Sequence, residues 1–331
     1  MHKPRWTIRP EGSNWGEFGP DDQRGRLNLL TPEKVLQGIA EVRAGKVFCL
    51  SLPLDYPGGN YHDLQRRPPQ LAPVIRNGRT KYNLRSQPQH TDVYCDDCAT
   101  LHTHYSTHWD ALAHVGSVFA AEAGEAPGIR YYNGFRGHED VGGDPPRALA
   151  LGIENMAQAG VQGRAVMIDL LGAFGPSRRC VGYDDLMRAM DARGVVVEPG
   201  DVVCLHTGQA AALLAMRKQP DQATMEEAFC HLDGCDERLL RWVDESGLAA
   251  IAADNYAVEA VPPRSRQDGA AYEGLHELCL FKLGIHLGEL WYLTELNDWL
   301  NANGRSRFLL TAPPLRLPGA VGSPLTPIAT V

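Results

Sequence analysis

The stretch LHTHYSTHWDALAHV, residues 101–115, holds four of the 12 histidines in a 331-residue chain, together with one aspartate. His104, His108, Asp110 and His114 follow one another at spacings of four, two and four. In an extended strand, residues of one parity share a face, which would point 104, 108 and 110 the same way. On a helix, 110 and 114 lie one turn apart. The expectation is a strand through HTHYS, a helix from about HWDALAHV onward, and a joint at which the four side chains converge. Neutral imidazoles and a carboxylate are donors that zinc, manganese or iron accept, and a site of about three protein ligands leaves room for water.

Plainer readings stand beside this one. Thr107 followed by Asp110 is a capping-box pattern, so Asp110 by itself reads equally well as a helix cap. A single histidine is more often structural than a ligand; four potential ligands in one short stretch shift the balance toward metal. A rival cluster exists in CDDC, with Cys95 and Cys98, and CHLDGC, with Cys230, His231 and Cys235. The second group has the wrong spacing for a zinc knuckle, and no strand-loop-helix context supports redox chemistry at the first.

Elements must carry these residues to one place. TPEKVLQGIAEVRAGK reads as a helix capped by Thr31, with Pro32 in its first turn and Gly45 at its end. KVFCLSLPL reads as a strand, and residues 56–90, rich in Pro, Gly and Arg, as a long surface excursion. Further strands are expected at 164–170, 200–208, 247–254 and 307–314. Helices are expected between them, among them YDDLMRAMDARG, opened by a capping Tyr-Asp pair, and DERLLRWVDESG, opened by Asp236. This alternation is α/β. With no repeat and no break in composition, residues 1–331 read as one domain whose first 30 or so residues form an irregular arm.

Totals narrow the function classes. The chain has 32 Lys and Arg against 40 Asp and Glu, a net charge of -8, and no basic run that could track a phosphate backbone. Nucleic acid is therefore not expected as a partner. No apolar stretch approaches the length of a membrane helix, and MHKPRWTIRPEGSNWG lacks the core of a signal peptide, so a cytoplasmic protein without a membrane partner is expected. Eight cysteines are too few for a disulfide scaffold, and most are expected to be small core residues.

HYSTHWDALAH resembles the His-x-Gly-Thr-His-x-Asp-x-Pro-x-His signature of the cyclase-like metal hydrolases, the family of bacterial kynurenine formamidase and isatin hydrolase, with His104, Thr107, His108, Asp110 and His114 in register. GRLNLLTPEKV, YYNGF at 131–135, GDVVCLHTG, LHELCLFKLGIHLGELWYL and PLRLPGAVGSPLTPIA resemble further segments of that family. The resemblance implies a swivelling β/β/α fold with a mixed, partly barrel-like sheet flanked by helices. It implies His104, His108 and Asp110 as ligands of one divalent ion, zinc or manganese, and His276 and Glu289 as ligands that with Asp110 hold a second. His114 becomes the acid/base residue. It also implies a homodimer or homotetramer. His102 and His286 have no counterpart and read as surface or pocket residues. Ser106 replaces the usual glycine and Leu112 a common proline, which argues against assuming N-formylkynurenine as substrate.

Together these imply metal-dependent hydrolysis of a formamide or cyclic amide, with Trp109, Tyr132 and Phe135 as candidate walls for an aromatic or heterocyclic small molecule. A lactone hydrolase or a polyketide-type cyclase would use the same site, and a metal-binding protein without activity is the third alternative.

Overall fold

The structure, a computed structural model of the chain, describes residues 5–59, 65–85, 87–265 and 269–331. Residues 1–4 of the expected N-terminal arm, and 60–64 and 86 of the expected excursion, lie outside them. The arm is irregular apart from a 3-10 turn, Gly25–Leu29. It is nevertheless packed down, with Trp15 buried and its indole N–H donating to the Phe281 carbonyl at 2.8 Å.

Strand β1 (Val47–Cys49) leads into a ribbon of short strands: β2 (Gln70–Pro73), β3 (Ile75–Arg76), β4 (Arg79–Thr80), β5 (Leu84–Arg85), β6 (Val93–Tyr94) and β7 (Asp97–Thr100). Then come β8 (His108–Asp110), the pair β9 (Ser117–Phe119) and β10 (Gly128–Arg130), and the small sheet β11 (Gly137–His138), β12 (Val141–Gly142) and β13 (Arg147–Ala148). The remaining strands are β14 (Gln162–Asp169), β15 (Arg179–Val181), β16 (Val202–His206), β17 (Cys230–Leu232), β18 (Ala250–Ala253), β19 (His286–Glu289), β20 (Arg307–Thr311), β21 (Gly322–Pro324) and β22 (Ile328–Thr330).

Nine of these strands form one mixed sheet in the order β1-β22-β20-β14-β16-β18-β19-β8-β21, curled into a half-barrel. Its centre, β14-β16-β18-β19, is parallel, and both flanks are antiparallel. Parallel strands covered on both faces should be apolar at every position. That holds for residues 165–168 of β14, 202–205 of β16 and all of β18, with Gln162, Arg164, Asp169 and His206 as polar exceptions toward the strand ends. Val166, Ile168, Val203, Leu205, Ile251 and Ala253 face one core, while Ala165, Met167, Val202, Cys204, Ala250 and Ala252 face the other.

Helices close both cores. The first is covered by α4 (Tyr183–Asp191), through Leu186, Ala189 and Met190, and α7 (Glu237–Glu245), through Leu239 and Val243. In chain order, α1 (Pro32–Ala40), α2 (Ile153–Ala159) and α3 (Leu170–Phe174) precede these. The rest are α5 (Gln209–Ala215), α6 (Gln222–Glu227), the short α8 (Gly274–His276), which continues as a π-helical turn over Glu277–Leu283, and α9 (Thr294–Ala302). Helices α2 and α9 cover the second core with Ile153, Met156, Leu296 and Leu300. No helix among the described residues is long and apolar enough to cross a membrane.

Several expectations need local correction. Thr31 does cap α1, accepting from the Lys34 N–H, but the helix ends at Ala40 because Ala44 N–H donates to the Val331 carbonyl and draws the chain into the sheet edge. The expected Tyr-Asp cap of α4 is replaced by Gly182. The Asp236 carboxylate, which caps α7, also accepts from Tyr183 N–H at 2.9 Å and so serves both helices. Only Cys204, Cys230 and Cys279 are buried, whereas Cys49, Cys95 and Cys98 are exposed, so most cysteines are not core residues.

The sheet's site-bearing edge depends on a close contact. Gly288 on β19 pairs with Trp109 on β8, and a Cβ there would lie 2.8 Å from Trp291 Nε1 and 2.9 Å from the Trp109 ring. Gly288→Ala should therefore destabilise the protein by about 1–3 kcal/mol through overpacking, read as a lower midpoint in urea unfolding followed by tryptophan fluorescence.

Candidate metal centre

The stretch HTHYSTHWDALAHV folds as turn, strand and turn, not as the expected strand followed by a helix. Residues 102–107 form turns, 108–110 form β8, and 111–114 turn again without becoming helix. The reason is the pairing of β8 with β19 on one side and β21 on the other, which occupies it in the sheet. Beyond it, Ala111 N–H donates to the Val321 carbonyl and Ala113 N–H to that of Leu151, and the tight turn closes with His114 N–H on Ala111.

The strand's two-residue period points His108 and Asp110 to one face and Trp109 to the other. Glu289 lies directly opposite His108 across the β8–β19 ladder, with Glu289 Oε2 3.8 Å from His108 Nε2. From the preceding turn, His104 brings its Nε2 to 3.3 Å from Asp110 Oδ1, and His108 Nε2 lies 3.4 Å from the same oxygen. The following turn returns His114, whose ring stacks on that of His104 at 4.3 Å and whose Nε2 is 3.9 Å from Asp110 Oδ1.

His276 arrives from the far end of the chain. The Glu259 carboxylate accepts from Leu275 N–H at 3.1 Å and His276 N–H at 2.8 Å, and its Oε1 lies 2.7 Å from His276 Nδ1. Nδ1 therefore carries the proton, and Nε2 is left to face Glu289 Oε1 at 3.4 Å. The Ser106 carbonyl does the same for His108, 2.7 Å from its Nδ1.

Two donor sets result, His104-His108-Asp110 and Asp110-His276-Glu289, each with its ligand atoms within 4.8 Å of one another. His104 Nε2 and both Asp110 oxygens are buried without a hydrogen-bond partner. Buried polar atoms are normally satisfied. Unpaired imidazole and carboxylate atoms converging on one point are the donors a divalent cation takes. Buried carboxylates at 110, 259 and 289 also place negative charge where water cannot screen it. The residues fit a divalent ion, and with Asp110 shared between the sets they fit two.

The electrostatics agree. Burial would raise the Asp110 pKa, but His114, His104 and His108 outweigh it and hold the carboxyl well below its ordinary value. Burial likewise opposes the charged form of His276, and Glu259 and Glu289 overturn that, holding it well above. His114 differs: burial pushes it down to about 4, against the pull of Asp110. Its imidazole is therefore neutral near pH 7, with a quarter of its side chain exposed.

Other expected site residues lie elsewhere. Trp109 is fully buried in the second core, its indole N–H on the Ala312 carbonyl at 2.9 Å. Tyr132 and Phe135 are buried in the first core, Phe135 beneath the Arg5 guanidinium. None of the three is free to wall a substrate. His286 is neither surface nor pocket; it is buried with Nδ1 2.8 Å from the Asp110 carbonyl, bracing β8 from behind. His102 is exposed. Cys95 and Cys98 sit on the exposed ribbon, and no cysteine joins a possible metal group among the described residues.

An open cavity of about 420 Å³ adjoins the cluster, lined by Val115–Val118, Tyr272, Glu273 and Glu277 among others. Its walls continue directly from His114 on one side and flank His276 on the other.

Sequence reasoning missed Glu259 and Gly322. On β21, Gly322 pairs with Asp110 of β8, and a Cβ at Gly322 would lie 2.2 Å from His104 Nε2. The glycine makes the space that the imidazole fills. Neither residue has a local signal, since each acts on a residue distant in the chain.

The family model described as a putative cyclase matches residues 50–260. Among solved structures, one described as a novel cyclase superposes with a TM-score of 0.77 at 29% identity, covering 96% of this chain and 97% of its own. Isatin hydrolase A from Ralstonia solanacearum superposes with a TM-score of 0.53 at 16% identity over 86% of this chain and 91% of its own. The isatin hydrolase A of Labrenzia aggregata, bound to benzyl benzoate, gives 0.55 at 16%, over 90% and 98%. The isatin hydrolases show the shared fold. No curated protein matches the chain.

Two substitutions test this geometry through metal affinity. Glu259→Ala should weaken zinc or manganese binding by about 10- to 100-fold in calorimetric titration, with Glu259→Gln recovering part of the loss because it keeps an acceptor oxygen. Gly322→Ala should displace His104 and weaken binding by a similar factor of about 10 to 100, with unchanged circular dichroism.

Proposed function

Since the chain belongs to the putative cyclase family, we propose that it is a metal-dependent hydrolase of a formamide or cyclic amide. The observation that carries this reading is the position of His114. It faces the shared ligand Asp110, stands outside both donor sets and immediately precedes Val115, which lines an open cavity together with Glu273 and Glu277 from either side of His276.

His104, His108 and Asp110 would hold one ion, and Asp110, His276 and Glu289 a second, with zinc or manganese the metals that suit this mixture of imidazole and carboxylate. When bound, such an ion polarises a carbonyl and lowers the pKa of water from about 16 to about 7. His114, neutral because burial depresses its pKa, accepts the proton of the attacking water at Nε2. As the new carbon–oxygen bond forms and the carbon–nitrogen bond breaks, His114 returns that proton to the departing nitrogen. The imidazole ends as it began, and the products are a carboxylic acid and an amine, joined in one molecule when the amide is cyclic.

The substrate enters through the cavity at Val115–Val118. Its volume of about 420 Å³ suits a small aromatic or heterocyclic molecule, and Val115, Val118 and Tyr272 offer apolar contact while Glu273 and Glu277 offer hydrogen bonds. Ring closure of a polyketide-like substrate is the second reading, supported by the description of the 29%-identical structure as a cyclase.

Elemental analysis of the purified protein should find one or two equivalents of divalent metal, lost in His108→Ala. His114→Ala should keep the metal and lose about 100- to 10,000-fold in turnover of formanilide- or isatin-type substrates. Normal turnover in that variant removes His114 from the mechanism. Ring closure by the wild type without any hydrolysis replaces this reading with the second.

A further inference from the structure

The open cavity lined from Val115 to Val118 carries charge of one sign. Its lining, residues 115–118, 269–273 and 277, includes the carboxylates of Glu273 and Glu277 and no Lys or Arg among the described residues. The two carboxylates differ. Glu277 has its partners: Oε1 accepts from Ser117 Oγ at 2.9 Å, and Lys282 Nζ lies 3.7 Å from Oε2. Glu273 is half-buried, yet its side chain makes no hydrogen bond and no ion pair within the described residues.

Withdrawing a carboxylate from water costs free energy unless something positive or proton-donating meets it. Around Glu273 the neighbours add to that cost. Its carboxyl is pushed up from the ordinary range by burial first, and then by the carboxylates of Glu259, Glu289 and Asp110, with His276 pulling the other way. Two of those carboxylates belong to the metal donors and the third orients His276. Glu273 therefore stands within electrostatic reach of the metal centre while lining the space through which a substrate would approach it. An unpaired carboxylate in such a wall has one kind of partner left, a cation that arrives with the ligand.

The rest of the lining fits an organic cation better than a bare ion. Val118 and Tyr272 are exposed by 69 and 46% and offer apolar surface, and Gly269, Ala270 and Ala271 leave room beside them. A bare ion gains nothing from such surfaces. A protonated amine carried on an aryl group meets the carboxylate at one end and apolar contact at the other, and an aromatic ring next to the ammonium adds cation–π attraction.

We propose that the substrate carries a protonated amine and that Glu273 selects it, the ammonium resting on the Glu273 carboxylate while the amide or formamide carbonyl reaches the metal centre. This substrate class rests on the cavity being the substrate's route to that centre.

Calorimetric titration of the zinc-loaded protein at neutral pH, with para-(aminomethyl)benzamide and with its uncharged isostere para-ethylbenzamide, tests the recognition without requiring turnover. The cation should bind at least about tenfold more tightly, and added sodium chloride should narrow the ratio. Glu273→Gln keeps the shape and removes the charge, so it should bring the ratio to within about twofold of unity, with circular dichroism and zinc content as in the wild type. Equal binding of the two compounds by the wild type, no binding of the cation, or a preference that survives Glu273→Gln overturns the proposal. Hydrolysis is read separately, with para-(aminomethyl)formanilide and para-ethylformanilide. A cation preference in binding with neither formanilide hydrolysed removes the hydrolase reading and leaves recognition by Glu273 standing. Hydrolysis of both at equal kcat/KM, with no preference in binding, does the reverse.

Discussion

The structure turns on the burial of carboxylates at one edge of the sheet. Asp110, Glu259 and Glu289 are almost wholly withdrawn from water, and ionised carboxylates in such a place are tolerated only when something positive or proton-donating meets them. The surroundings are arranged to do so. Glu259 is met by two backbone N–H groups and the Nδ1 of His276. Asp110 is met by three imidazoles, and neither of its oxygens makes a hydrogen bond. The difference between these two carboxylates is informative: one is fully engaged in holding the protein, the other is held ready. Placing them requires β8 to lie between β19 and β21, which in turn fixes the Gly288 contact with Trp109 and Trp291 on the sheet's other face.

How much of this was legible in the sequence depends on how local each part is. The convergence of His104, His108, Asp110 and His114 was readable because it arises within eleven residues. The elements assigned there were wrong, since strand and turn replace strand and helix, yet a turn after Asp110 brings His114 back as a helical turn would have done. The two-residue period at 108 and 110 carried a second conclusion that was overlooked. If those two face the site, Trp109 between them must face away, and its placement in the second core follows from the same rule. Tyr132 and Phe135 carry no such rule, and their burial depends on the N-terminal arm folding over them.

Non-local parts were not legible from residue patterns. Glu259 follows Ala257 and Val258, both with positive φ, an irregular backbone that no propensity foretells. Gly322 reads as one glycine in a glycine-rich C-terminal stretch until the imidazole from 218 residues upstream is seen to fill its missing side chain. His276 and Glu289 were recoverable only through resemblance, because each needs a partner distant in the chain to make it more than a buried polar residue. The central strands β14, β16 and β18 were legible because continuous apolar runs of Val, Ile, Leu and Ala demand burial on two faces, whereas β8, β19 and β21, which carry polar or small residues, gave no such signal.

The same segment of chain contains the least and the most constrained parts of the molecule. The ribbon leaves almost every residue in water, and four residues after its last strand the chain reaches His104, wedged against Gly322 with an imidazole stacked on it. Arg66 at the ribbon's root donates to the His104 carbonyl at 3.1 Å, so the two ends of the excursion are tied where they enter the site. A hydrogen bond at the root isolates the site from movement further out, since displacing the ribbon need not displace His104 while that bond holds. The geometry thus separates two demands that would otherwise conflict. A ribbon open to water is free to adapt, whereas buried side chains that converge on one point must be held to fractions of an ångström, and the tie at Arg66 allows one continuous stretch of chain to meet both.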